Sequence, residues 1–193
     1  YFPFGRLSSS IDIHLLAPIF ECLDRFIGAL GPSATPYVDE IYRALKSYLF
    51  NQNKLYCVYP LEIFSHICFI DPGYEDLYLM TIDKCVVYLN DGGHIIIQTL
   101  LTKSFRYLLY SNKEGLAAYQ PMLIEFCEGI IRSDIDYIPL RESATSLWCG
   151  LIMEFDLQPN EEVLGAVINS LPPRFDSDDL PFVSVFAVYV ARK

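Results

Sequence analysis

The chain has 193 residues, 52% of them hydrophobic and 20% charged, so it can bury a large core and lacks the composition of disorder. Its net charge of -10 argues against a phosphate-binding face, because nucleic-acid recognition gathers Lys and Arg on one surface. Mean hydropathy is +0.27, yet the longest informative uncharged run, residues 180–191, holds twelve residues against the roughly 20 that a spanning helix needs, which excludes membrane insertion.

Tyr1 and the residues after it do not form a basic region leading into an apolar stretch with a cleavage site, and the last residues carry no stop signal. The chain therefore reads as a piece of a longer one. Residues 11–30 supply a first helical segment, ended by Gly31-Pro32 and Pro36. The stripe Val38, Ile41, Tyr42, Leu45, Tyr48 and Leu49 follows at helical spacing, up to a short break at Asn51-Gln52-Asn53. Asp71-Pro72-Gly73 closes that unit. Tyr74, Leu77, Tyr78, Ile82, Cys85, Val86 and Leu89 form the next stripe, divided from its successor at residues 90–93.

After residues 112–115, Phe126, Cys127, Ile130 and Ile131 continue the periodicity, as do Leu147, Trp148, Leu151, Ile152 and Phe155 beyond a break at 133–139. Gln158-Pro159-Asn160 opens the last unit, in which Asn160 is expected to cap a helix carrying Glu161 and Glu162 where the macrodipole favours acids. Leu171-Pro172-Pro173 stops that helix, and Asp176, Ser177, Asp178 and Asp179 cap the next. Residues 182–188 are rich in β-branched and aromatic types, but a lone strand would lack a partner, so helix is expected there too.

Unit starts at Tyr37, Tyr74, Tyr119 and Glu161 are 37, 45 and 42 residues apart. Two helices of a dozen or more residues per unit, at that period, match HEAT or armadillo-type arrays, not tetratricopeptide or ankyrin repeats. One helical hairpin cannot bury its apolar stripes alone, so neighbours stack on a shared core. The expected fold is all-α, an α-α superhelix of about four and a half hairpins. Its units lie near 11–30, 37–70, 74–111, 119–156 and 160–193, in a single array.

No active site assembles from the motifs. His66 and Cys68 in "FSHICFI" stand two apart, and residues two apart on a helix face away from one another. His14 and His94 lack ligand partners at i+3 or i+4, so no metal is expected. "LNDGGHIII" has a glycine pair but no phosphate-loop lysine or serine, and there is no G-x-S-x-G or HExxH. No cofactor is expected and the chain reads as a non-enzyme. Six cysteines without a CxxC pair read as buried, reduced thiols of an intracellular protein. The candidate binding residues are surface acids: Glu161, Glu162, Asp176, Asp178 and Asp179 at one elbow, and Asp134, Asp136 and Glu142 at another, suited to Lys or Arg of a basic partner.

The residues 119–179, with Tyr119 and Pro121, Ile131 to Asp134, Ser143 to Phe155, Glu161 to Leu164, Leu171-Pro172 and Asp176 to Asp179 in order, resemble the C-terminal HEAT repeats of the karyopherin-β (importin-β) superfamily, nearest to its importin beta-three branch. "YVDEIYRAL" and "YLNDGGHIIIQTLL" fall in register with two preceding repeats. Asp134 and Arg141 come nearest to the family's Asp–Arg ladder, whereas Asp91 is followed by Ile97. The resemblance implies a fragment of a nuclear transport receptor that binds a basic cargo protein or nuclear localisation signal, accepts nucleoporin Phe-Gly repeats, and shuttles between cytoplasm and nucleus. Ran-GTP would bind N-terminal repeats outside this chain. The alternative is a HEAT-repeat scaffold or regulatory subunit of another complex.

Overall fold

The computed structural model describes residues 13–51 and 53–170. Among these residues every regular element is helical and none is a strand. The expected second break of the last unit, the segment 182–188, and Asp176, Asp178 and Asp179 lie outside the described residues. The chain divides into two compact units between Ser111 and Asn112.

In the first unit, α1 (Ile13–Leu30) ends at Gly31, whose φ of +53° lies in the left-handed region that glycine enters without strain. The expected loose break after it is instead a 3₁₀ helix, Gly31–Tyr37, started by Pro32. The next segment also differs from expectation. α2 (Val38–Leu45) has only eight residues and is continued by a 3₁₀ turn, Lys46–Phe50. Winding at three residues per turn sets Tyr48 on the side of Leu45, where it meets Phe20 of α1 edge-on at 5.4 Å.

α3 (Lys54–Ile70) starts where Asn53 Oδ1 accepts from Leu55 N at 3.1 Å. It is the hub of this unit, packing against α1, α4 (Glu75–Asn90), α5 (Ile95–Ser111) and the Lys46–Phe50 turn. All residues from Cys57 to Cys68 are buried, and Pro60 is one of them, an interior proline that removes one ladder donor. Hydroxyls enter this core by bonding the carbonyl one turn back: Ser65 to Leu61 (2.7 Å), Thr81 to Leu77 (2.6 Å), Thr102 to Gln98 (2.6 Å) and Ser104 to Leu100 (2.9 Å).

The second unit begins with a short turn of helix, α6 (Lys113–Leu116), and a 3₁₀ turn, Ala117–Tyr119. α7 (Gln120–Arg132) then pairs with α8 (Ile138–Glu154) and also packs on α9 (Glu161–Ser170). The core is Leu123, Cys127 and Ile130 of α7, Leu140, Ala144, Leu147, Trp148 and Leu151 of α8, and Val163, Leu164 and Val167 of α9. Trp148 is fully buried, and its indole N–H reaches Glu128 Oε1 at 3.3 Å. α8 closes with a Schellman pattern, Leu157 N to Ile152 O (3.0 Å) and Asp156 N to Met153 O (3.4 Å). Asp156, at φ +52°, takes the place that glycine usually holds.

Helices therefore begin at Val38, Glu75, Gln120 and Glu161, within one residue of the expected unit starts. Asn160 caps α9 as expected, accepting from Glu162 N (3.0 Å) and Val163 N (3.4 Å) through Oδ1.

Candidate functional site

Three of the acids singled out in the sequence, Asp134, Asp136 and Glu162, meet in the second unit. Ser133 (φ -77°, ψ 157°) leaves the helical region at the end of α7, with its hydroxyl donating to Ile130 O at 2.6 Å. The chain then alternates, with Asp134 and Asp136 exposed and Ile135 half-buried, as an extended segment over a core does. The result is a hollow of about 480 Å³ lined by residues 131–136, Arg141 at the start of α8, and Glu162 and Ala166 of α9. Glu162 of one predicted elbow and Asp134 and Asp136 of the other thus share one concavity. Glu161 and Glu142 are exposed and lie outside its lining.

This hollow is not purely acidic. Arg132 approaches Glu162 at 3.9 Å and Glu128 at 3.7 Å, so it ties α7 loosely to α9. Both Arg132 and Glu162 are well exposed (43% and 77%), and a pair in that setting contributes little to stability. Arg141 also lines the hollow, half-buried, and makes no ion pair with Asp134 among the described residues. Three carboxylates and two guanidinium groups therefore face the same space, a pattern that selects for charge arrangement more than for charge alone.

The first unit holds a second polar constellation, which sequence reasoning missed. Glu62, His66 and Phe69 follow one side of α3 at i, i+4 and i+7, and Lys103, Tyr107 and Tyr110 do the same on α5; Glu21, Asp24 and Gly28 share one side of α1 at i, i+3 and i+7. Packing lays these rows side by side. His66 Nδ1 sits 2.8 Å from Asp24 Oδ1, and the ring stacks on Tyr107 with centroids 4.3 Å apart and planes 7° from parallel. A Cβ on Gly28 would lie 2.9 Å from His66 Cε1, so α1 can approach α3 this closely only because residue 28 has no side chain. Beside it, Lys103 Nζ is 3.5 Å from the buried Glu62 carboxylate.

Burial pushes the Glu62 carboxyl up to about 7; Lys103 pulls it back, while Asp24 and Glu21 add to the rise. Tyr107 is pushed up to about 12, chiefly by burial and then by Asp24 and Glu62. The signal in the sequence was the pairing of polar and aromatic residues one turn apart on α3 and α5. What it lacked was the lateral alignment, since Asp24 and His66 are 42 positions apart.

Cys68 lies two residues from His66 but is fully buried, with its thiol pushed up to about 12 by burial. Cys149 is raised to about 12 in the same way, and Cys85 and Cys127 are raised further by burial. A thiol so raised supplies almost no thiolate near neutral pH. Cys22, against expectation, is exposed, being on the outer side of α1. Among the described residues no cluster of three His, Cys, Asp or Glu side chains is disposed to hold a metal ion, and no helix is long and apolar enough to cross a membrane.

Comparison with protein-family models, with curated proteins and with solved structures finds no match to this chain.

Proposed function

We propose that this chain is a non-enzymatic protein-binding scaffold, an α-α superhelix of HEAT type, whose hollow beside α9 receives a basic segment of a partner protein. The observation that carries the reading is the convergence of Asp134, Asp136 and Glu162 from separate elbows on one concavity. The architecture is supported by the contacts between alternate helices within each unit, α1 on α3, α3 on α5, and α7 on α9, which are the contacts that stacked hairpins make. The mechanism is electrostatic placement. Carboxylates at fixed separations accept Lys or Arg side chains, and Arg132 and Arg141 repel cations set in the wrong register.

The likeness to karyopherin-β repeats makes the partner a transport cargo or its localisation signal. It adds nucleoporin Phe-Gly repeats as ligands of the grooves between helices, Ran-GTP as the releasing factor on repeats outside this chain, and shuttling between cytoplasm and nucleus. A calorimetric titration with a Lys/Arg-rich peptide tests the core of the proposal. Replacing Asp134 and Asp136 together by Asn is expected to weaken binding about tenfold and to flatten its salt dependence. Equal affinity of the variant and the parent chain would sink it.

A further inference from the structure

α1 packs chiefly on α3 and on the 3₁₀ helix Gly31–Tyr37, with Leu16, Phe20 and Ile27 buried and Leu15 and Phe26 open to solvent. Its departure would leave the packing of α3 on α4 and α5 in place. Pro18 stands inside it, where the missing N–H weakens the turn, so α1 has the features of an element that opens locally. The polar cluster lies in the contact that such an opening would break. Glu62, 7% exposed, faces Glu21 and Asp24 from α1 and Lys103 from α5, whose Nζ is 3.5 Å away and 45% exposed. His66, one turn further along α3, has Nδ1 committed to Asp24 at 2.8 Å and its ring covered by Tyr107, over which Arg106 lies at 5.8 Å. An ionised Glu62 therefore sits out of water against two acids of α1, with one long ion pair to offset them.

We propose that the contact of α1 with α3 is a proton-dependent latch, closed while Glu62 holds a proton between the acids of α1 and Lys103, and released when that proton is lost. Departure of α1 takes Glu21 and Asp24 away from Glu62 and lets water reach the carboxylate, so the open form binds the proton more weakly than the closed one. The direction follows from linkage. Glu62 stands at about 7 in the closed form against 4.5 in water, burial being the first cause and Asp24 and Glu21 adding to it against the pull of Lys103. Below 4.5 both forms are protonated and the latch is at its tightest. Between 4.5 and about 7 opening becomes easier by up to about tenfold per pH unit, and above that it levels off. The Asp24–His66 bond and the close approach at Gly28 hold the two helices in register when the latch is shut. The latch belongs to the first unit, so it stands or falls separately from peptide binding in the second.

Native-state amide hydrogen exchange of the whole chain, corrected at each pH for the intrinsic exchange rate, tests it. Protection of the α1 amides is expected to fall about fiftyfold between pH 5 and pH 8, and at pH 8 those amides should exchange well before the amides of α3 and α5. Glu62→Gln, which cannot ionise, should leave α1 equally protected at both pH values. Lys103→Met removes the cation that opposes the rise at Glu62, at a position open enough to tolerate the change, and should move the pH at which the fall levels off upward. Exchange of α1 in step with α3 and α5 at every pH would mean that only the whole unit opens, and would overturn the latch. So would a corrected α1 protection that does not vary with pH, or a Lys103→Met profile that stays in place or moves down.

Discussion

The two units handle charge in opposite ways. In the first, Asp24, His66 and Glu62 are drawn between α1, α3 and α5, where Glu62 is 7% exposed and His66 11%, and Lys103 reaches Glu62 from the rim. In the second, Arg132, Glu162, Asp134 and Asp136 stand in solvent around a hollow. Withdrawing a charge from water is expensive unless partners replace the water, so the first cluster is bound into the helix packing and its geometry is fixed. The exposed charges are worth little to the fold and are therefore free to be used on a ligand. Burial, more than residue type, separates the charges of the two units.

The comparison can be broken most forcefully at Glu62. Its carboxyl is raised from 4.5 to about 7, burial being the main cause. Well below 4.5 both folded and unfolded states are protonated, and the group has no net effect. Between 4.5 and about 7 the unfolded chain releases its proton first, so stability falls as pH rises, and above about 7 the full penalty, on the order of 3 kcal/mol, persists. Glu62→Gln is expected to abolish that slope and to make the protein more stable than the parent at pH 8 but not at pH 4. Urea unfolding at the two pH values measures it. A pH dependence identical to the parent's would show that Glu62 is not the buried acid of this unit.

A somewhat smaller effect is expected at Gly28, and it has a sign that packing decides. Glycine to alanine inside a helix ordinarily stabilises by about 1 kcal/mol. Here the new methyl would press on a ring already held by Asp24 and Tyr107, so Gly28→Ala is expected to destabilise by about 1–2 kcal/mol. In a His66→Ala background the obstruction is gone, and the same change should become stabilising by about 1 kcal/mol. Thermal unfolding of the four proteins gives the cycle. Additive effects would mean that His66 is not clamped against α1.

Much of the helix layout was legible because local chemistry decides it. Prolines, glycines and asparagines end helices through backbone constraints that act within a few residues, so Asn160 could be assigned as a cap, with Glu161 and Glu162 in the turn it starts. Local chemistry reads less well where tertiary packing intervenes. The turn Lys46–Phe50 winds as 3₁₀, with Tyr48 against Phe20 on another helix, and nothing within that segment announces it. The hollow was half legible. Its acids were visible as two separate elbows, but Arg132 was not singled out, because only the packing of α9 brings Glu162 within 3.9 Å of it. The Asp24–His66–Tyr107 cluster was not legible at all, because it joins three helices whose alignment is a product of core packing.

The smallest effect on stability is expected at Arg132, and there the contrast between the units becomes sharpest. Its pair with Glu162 is long and open to solvent, and its pair with Glu128, whose carboxylate is 13% exposed, is long at 3.7 Å, so Arg132→Ala should shift unfolding by no more than about 1 kcal/mol. Its removal nevertheless takes a positive charge from the wall of the hollow and releases Glu162 from its nearest cation. A basic peptide should then bind about two- to fivefold more tightly at low salt, with the gain fading as ionic strength rises. Unfolding and peptide titration on the same variant read the two quantities separately. A large loss of stability would make Arg132 a strut like His66, and a loss of peptide affinity would mean that the hollow recognises an anion or a mixed surface instead of a cationic segment.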